Sequence, residues 1–244
     1  MDRFINKIIL GNSIEVLKTI PDKSIDITIC SPPYKDSDNY SDQLILDIFT
    51  ECFRIQKSNS LAFVNFGALA NFKSRPFKVV NILENIGYKL NDTITWIKPQ
   101  FSPIQGHRRV NNITEFIFMF YKGKMPKIDR LSIGVPYEDK SNTKRYSNGK
   151  DLRCGGNVWK IKYETITRSE QKLHNDRFPL QLPMNCIKLS AIKDNAIVLD
   201  PFSGSGTTCL AAKTLKKNYI GIEMNEEHYN TSIIRLRNAE ITVE

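Results

Sequence analysis

One run of residues, Ala196 to Glu223, limits the possible folds of this chain more than any other. An apolar, β-branched segment, Ala196-Ile197-Val198-Leu199, stops at Asp200 and a turn, Pro201-Phe202-Ser203-Gly204-Ser205-Gly206. A helix-competent stretch then begins at Thr207, and a second apolar run, Tyr219-Ile220-Gly221-Ile222, ends at Glu223. Two short strands separated by a helix pair as parallel neighbours through a crossover, and a parallel sheet needs cover on both faces. The same alternation runs through most of the chain. Strands are expected at Lys7–Leu10, Asp26–Cys30, Leu61–Phe66, Thr93–Ile97, Glu115–Tyr121, Ala196–Leu199 and Tyr219–Ile222. Helices are expected at Ser13–Thr19, Asp42–Gln56, Pro76–Ile86, Leu182–Ser190, Thr207–Lys216 and Glu226–Asn238. The fold class is therefore α/β, a mostly parallel sheet covered by helices.

The turn after Asp200 carries chemistry. Its two glycines let backbone approach a ligand closely, and an acidic residue after the second strand of such a unit, here Glu223, accepts hydrogen bonds from ribose hydroxyls. Cys209 stands where the third glycine of a dinucleotide fingerprint would fall, which weakens a pyrophosphate site and favours a nucleoside cofactor without phosphates. A second special turn follows another apolar strand, in Ile25-Asp26-Ile27-Thr28-Ile29-Cys30-Ser31-Pro32-Pro33-Tyr34. The two prolines fix φ and remove backbone donors, so the Ser31 hydroxyl, the Pro32 carbonyl and the Tyr34 ring should project rigidly from the carboxyl edge of the sheet.

Ser31-Pro32-Pro33-Tyr34 and Asp200-Pro201-Phe202-Ser203-Gly204-Ser205-Gly206-Thr207-Thr208 together resemble the amino-group DNA methyltransferases that use S-adenosylmethionine. With the acceptor motif first and the cofactor motif last, their order resembles the beta-class permutation of that family. Lys7–Ser13 is similar to the strand and loop holding the cofactor adenine, with Asn12 where the family commonly has Asp. Leu61–Gly67 and Thr95-Trp96-Ile97-Lys98-Pro99 are similar to catalytic-side strands, and Arg108 to Lys122 matches a pattern of Arg, then Glu115, then an apolar strand. The run His174-Asn175-Asp176-Arg177-Phe178-Pro179-Leu180-Gln181-Leu182-Pro183 resembles the element that closes over the methionine end.

The resemblance implies a Rossmann-like, circularly permuted methyltransferase sheet with a basic target-recognition insertion. Its catalytic parts would be residues 1–121 and 173–244, with 122–172 inserted between them. Ser31, Pro32, Pro33 and Tyr34 would serve catalysis. Asn12, Phe178, Asp200, Phe202, Ser203, Gly204, Ser205, Gly206, Thr207, Glu223 and Met224 would hold S-adenosylmethionine. The activity implied is methylation of cytosine N4 in duplex DNA after base flipping, with adenine N6 as runner-up, because Ser at the first motif position goes mainly with cytosine. A nucleic-acid-binding module without catalysis is the reading from another class.

Charge supports a polyanionic partner. The chain of 244 residues has 35 Lys and Arg against 26 Asp and Glu, a net +9. Of this, +7 lies in residues 122–172, where 13 basic residues face 6 acidic ones and where Tyr137, Tyr146, Trp159 and Tyr163 are interleaved. That composition suits nucleic-acid contact, a loop-rich insertion around a small aromatic core being the other reading. Arg108, Arg109, Lys144, Arg145 and Arg153 are the candidate DNA contacts, the first two balanced between that role and simple solvation.

Other classes are disfavoured. No cysteine follows a proline, which argues against ring-carbon methylation through a cysteine nucleophile. Five widely spaced cysteines without a C-x-x-C pair, and only three histidines, indicate no metal site and no disulfide framework. No run approaches the roughly 20 apolar residues of a membrane span, and the N-terminus lacks a signal-peptide layout, so a cytoplasmic protein without a membrane partner is expected. A cognate restriction endonuclease would be a functional partner, and the chain would act as a monomer or homodimer.

Overall fold

The computed structural model describes residues 1–33, 41–68, 73–99, 110–141, 151–163 and 177–241. In chain order these form β1 (Lys7–Leu10), α1 (Ser13–Lys18), β2 (Ile25–Cys30), α2 (Asp42–Ile55), β3 (Gln56–Phe66), α3 (Arg75–Ile86), β4 (Lys89–Ile97) and β5 (Thr114–Lys122). There follow β6 (Val158–Lys160), α4 (Gln181–Leu189), β7 (Ile197–Asp200), α5 (Thr207–Thr214), β8 (Asn218–Glu223) and α6 (Glu226–Ile241).

Local chemistry sets several boundaries. Asn12 and Ser41 cap α1 and α2, their side-chain oxygens accepting first-turn backbone N–H groups. Ile45, Ile48, Phe49, Cys52 and Ile55 recur at helical spacing and form the buried face of α2. Gly87 ends α3 in the left-handed region at φ 118°, where a Cβ would press against the Phe53 ring at 3.2 Å.

Among the described residues one sheet of eight strands runs in the order β1-β8-β7-β2-β3-β5-β4-β6. Every neighbouring pair is parallel except those that β5 makes with β3 and β4. From β7 the chain crosses through α5 to β8 on one side, whereas from β2 it crosses through α2 to β3 on the other. The strand order therefore reverses between β7 and β2, and a ligand crevice forms outside the carboxyl ends of the strands at such a point. The N-terminal β1 pairs with the C-terminal β8, Lys7 opposite Ile220 and Leu10 opposite Glu223, so the two ends of the chain complete one edge of the sheet.

Each face has its own apolar core. Leu17, Phe49, Leu83 and Phe120 belong to the layer under α1–α3, and Trp96, Leu182, Ala211 and Leu236 to the layer under α4–α6. β3 starts earlier than its sequence suggests because Gln56 is fully buried without being left unpaired. Its Oε1 accepts from Thr28 (3.2 Å) and Tyr88 (2.9 Å), and its Nε2 donates to Ser60 (2.9 Å) and to the Leu61 carbonyl (2.8 Å).

The largest departure from the sequence reading is β6. Residues 158–160 fall within the segment read as lacking periodicity, yet they add a strand to the sheet parallel to β4, with Trp96 opposite Trp159. Alternation separates the side chains here: Trp159 and Ile161 are 6% exposed and sit in the core, while Lys160 and Lys162 face solvent. Trp159 is thus a packing residue, and its grouping with nucleic-acid-contacting aromatics is corrected.

Candidate functional site

The carboxyl edge of the sheet gathers Asn12 after β1, Glu223 at the end of β8, Asp200 at the end of β7, Ser31 after β2, Asn65 near the end of β3 and Lys98 after β4. β5 runs the other way, so its first residues, Thr114 and Glu115, also reach this edge. Two linked halves result.

In the first half, the glycine turn is held by its surroundings and presents backbone outward. Glu223 is 9% exposed, and its carboxylate accepts the Gly204 N–H at 2.7 Å and the Asn225 N–H at 2.8 Å, one on each oxygen. Each oxygen keeps a second lone pair for a hydroxyl donor. Gly204 has φ 51°, and a Cβ there would meet only the Phe202 carbonyl, at 4.0 Å, so the turn is open on that side. Gly206 serves packing instead: at φ 76° a Cβ would lie 2.9 Å from Ser232 Cβ and 3.0 Å from Ile8 Cδ1. The hydroxyl side chains of the turn point inward. Ser203 Oγ lies 3.7 Å from Cys209 Sγ, and Arg235 of α6 donates to Ser205 Oγ (2.9 Å), the Ser205 carbonyl (2.6 Å) and Thr207 Oγ1 (3.0 Å).

Asp200 lies beneath this turn at 2% exposure, accepting the Phe202 N–H at 3.0 Å. Burial, with some addition from the Glu223 charge, pushes its carboxyl up to about 7, against the opposing pull of the Thr208 hydroxyl and the Phe202 N–H. Asn12 caps α1 with Oδ1, which accepts from Ile14 N (2.9 Å) and Glu15 N (3.4 Å); a ligand contact from this residue falls to Nδ2, a donor. Phe202 packs 6.3 Å from Phe49, Phe178 is 9% exposed within the second core, and Met224 is exposed.

In the second half, Ser31 follows β2. Thr28 is opposite Leu199 of β7, so the residues that follow on each strand run level toward the edge. Thr208 bridges the halves, its hydroxyl facing both Asp200 and the Ile29 carbonyl, the latter at 3.4 Å. Ser31 Oγ donates to the Asn65 carbonyl at 3.3 Å and receives Asn65 Nδ2 at 3.5 Å. Asn65 Nδ2 also donates to Glu115 Oε2 at 2.9 Å, and Glu115 Oε1 pairs with Lys98 Nζ at 3.0 Å. Nearby, the Trp96 indole donates to the Ile161 carbonyl at 3.0 Å and meets the Tyr163 ring edge-on at 5.5 Å. Burial, followed by the Glu115 charge, pushes the Tyr163 hydroxyl up to about 12.

The structure thus brings together Ser31, Pro32, Pro33, Asn12, Asp200, the Phe202–Thr207 turn, Glu223 and Met224. Tyr34, Arg108, Arg109, Lys144, Arg145 and residues 174–176 lie outside the described residues. Arg153 is in a bridge with Val135 and 3.9 Å from Glu138, outside the strands of the sheet. Sequence reasoning missed Asn65 and Arg235. A buried Asn in an otherwise apolar strand was the available signal for the first; an Arg on a late helix carries none. Among the described residues no group of three or more His, Cys, Asp or Glu is placed to hold a metal ion, and no helix is long and apolar enough to cross a membrane.

Comparison with known proteins matches residues 25–234 to a family model described as DNA methylase, covering N6 and N4 methyltransferases. A type II methyltransferase, M.HinfI of Haemophilus influenzae, is 30% identical over 96% of this chain and 69% of its own length. Among solved structures, PvuII DNA methyltransferase (cytosine-N4-specific) superposes with a TM-score of 0.75 at 22% identity, over 94% of this chain and 85% of its own. M1.HpyAVI in complex with SAM superposes at 0.66 with 27% identity, over 94% and 98%.

Proposed function

Since the chain belongs to the N6/N4 family of DNA methylases, we propose that it transfers a methyl group from S-adenosylmethionine to the exocyclic N4 of a cytosine flipped out of duplex DNA. The observation that carries this reading is the position of Ser31, after β2, next to the strand β7 that leads into the Asp200–Gly206 turn, where the strand order reverses between β7 and β2. The turn fits a nucleoside cofactor: Gly204 offers an open backbone face, the Glu223 carboxylate is the proposed acceptor of ribose hydroxyls, and Asn12, its Oδ1 engaged in capping, is left with Nδ2 as the proposed donor to the adenine. M1.HpyAVI, with which the chain shares this fold, is known in complex with SAM.

When bound, the cofactor supplies an electrophilic methyl group on a sulfonium. The rest falls to the chain. An aromatic amino nitrogen is a poor nucleophile because its lone pair is delocalised into the ring. Acceptors placed out of the ring plane draw its N–H bonds away and favour a tetrahedral nitrogen with its lone pair aimed at the methyl. The Ser31 hydroxyl oxygen and the Pro32 carbonyl are those acceptors, and the Tyr34 ring stacks on the base. Catalysis then rests on orientation, without a covalent enzyme intermediate. Flipping the base costs a few kcal/mol, offset in part by phosphate contacts from residues 122–172, which are the proposed target-recognition segment.

The Ser at the head of the motif, and the cytosine-N4 specificity named for the PvuII enzyme, support cytosine over adenine. We place the enzyme as the modification half of a restriction–modification pair or as a solitary methylase. Incubation with labelled S-adenosylmethionine and mixed-sequence DNA, followed by digestion to nucleosides, tests the proposal. Label in N4-methylcytosine is expected; label confined to N6-methyladenine overturns the base assignment, and no label overturns the activity.

A further inference from the structure

The ladder between β2 and β7 stops at a proline. The two strands are parallel, with Ile27 opposite Val198 and Thr28 opposite Leu199. Along such a strand the backbone groups of successive residues alternate between its two neighbours. The Ala196 carbonyl accepts the Asn218 N–H from β8, so Val198 and Asp200 also face β8, and Ile197 and Leu199 face β2. The Ile197 N–H agrees, donating to the Asp26 carboxylate beside β2 at 2.9 Å. In that register the Ile29 carbonyl is due to receive the N–H of residue 201. Residue 201 is proline and has none. Ile29 is 1% exposed, so water does not make up the loss, and a buried carbonyl needs a donor.

A helix supplies it. Thr208, in the first turn of α5 and 1% exposed, donates its hydroxyl to the Ile29 carbonyl at 3.4 Å. The bond is long for a hydroxyl, but both partners are shut away from water, which would otherwise compete for it. The same hydroxyl faces Asp200 on the cofactor side. α5 is a firm anchor, since Cys209, Ala211 and Ala212 on its inner face are at most 1% exposed. At the other end of the bond, Ile29 stands two residues before Ser31, where the acceptor turn leaves β2. We infer that Thr208 is a positioning residue for methyl transfer: it stands in for the missing N–H of Pro201 and fixes the end of β2, and with it Ser31 and Pro32, against the cofactor turn. This inference rests on the proposed role of Ser31 and Pro32 in holding the target base. In-line transfer is sensitive to the separation and angle of nitrogen and methyl, so a drift between the two halves should lower the rate more than it lowers the binding of either substrate.

Thr208→Val keeps the shape of the side chain and removes the hydroxyl. In the full-length protein, single-turnover methyl transfer to duplex DNA with both substrates saturating is expected to slow about 10- to 100-fold. The dissociation constants for S-adenosylmethionine by calorimetry and for DNA by mobility shift should change less than about threefold. Thr208→Ser, which keeps the hydroxyl and loses the methyl group, should transfer within about threefold of wild type. Thr208→Ala, with the same expectation as valine, serves if Thr208→Val fails to fold. A loss confined to cofactor affinity, with the saturated rate unchanged, overturns the inference, because Thr208 then serves only Asp200 and the cofactor turn. A serine variant as slow as the valine variant overturns it too, since the methyl group rather than the hydroxyl would then be what matters. Ser31→Ala in the same assay keeps the two readings apart. Full transfer in Ser31→Ala overturns the proposed role of the acceptor motif and the inference with it, whereas slowed transfer there beside full transfer in Thr208→Val overturns the inference alone.

Discussion

Replacing Asp200 by Asn separates the cost of a buried carboxylate from its use. In the ligand-free protein burial raises this group from 3.8 to about 7. Below the lower value the carboxyl is neutral whether the chain is folded or not, and it contributes nothing to pH dependence. Between the two values the folded protein keeps the proton and the unfolded chain releases it, so stability falls as pH rises, and above the upper value the full cost is present. At 1.36 kcal/mol per pH unit the gap of 3.2 amounts to about 4 kcal/mol. An amide in the same place is neutral throughout, and its oxygen still accepts from Phe202 N and the Thr208 hydroxyl. In urea titrations of the ligand-free proteins, the stability of Asp200→Asn relative to wild type should climb between about pH 4 and about pH 7.5, by up to about 4 kcal/mol, and then level off. Cofactor binding should show the reverse preference. A cationic sulfonium and ammonium favour the ionised carboxylate, so wild-type affinity for S-adenosylmethionine should rise as pH increases through about 7, whereas Asp200→Asn should lack that rise. A stability difference that stays flat across the whole range refutes the reasoning, because it means that ionisation of Asp200 is not opposed by the fold.

Arg235→Ala removes the contacts that tie α6 to Ser205 and Thr207. It should weaken cofactor binding about tenfold by calorimetry while leaving DNA affinity in a mobility-shift assay unchanged. Gln56→Leu leaves the Tyr88 and Thr28 hydroxyls without their buried acceptor. A loss of about 2–3 kcal/mol in urea unfolding is expected, with cofactor affinity intact. The exposed Lys160 and Lys162 flank the core-facing Ile161 beside the acceptor edge. If they meet phosphates, changing both to Ala should weaken DNA binding and lower the slope of log affinity against log salt by about 2. Tyr34→Ala should spare cofactor binding and reduce methyl transfer; unchanged turnover removes the stacking role.

The two motif-bearing turns were legible because their physics is local. A β-branched run ending at Asp200 before a glycine turn, and one ending at Cys30 before Ser31-Pro32-Pro33, declare their strands and their exits within a dozen residues. The α2 face and the cap at Asn12 are local in the same sense. β6 was not legible: three residues show too little of a period-2 pattern, and their partner is β4, some 60 residues earlier, so only pairing reveals that Trp159 is inward and Lys160 outward.

The distribution of charge and the order of the motifs were likewise settled by the chain as written: a basic excess lying mostly in residues 122–172, an acceptor turn near the start and a cofactor turn near the end. What needed tertiary structure was every property that depends on distant groups meeting. Burial under the glycine turn, rather than residue type, moves Asp200 toward neutrality. The reversal of β5 brings Glu115 to the same edge as Lys98 and Asn65, a meeting of three strands that no local pattern declares. Local sequence specifies turns because turn geometry is set by neighbouring residues; the ionisation of a carboxylate is set by whatever the fold packs against it.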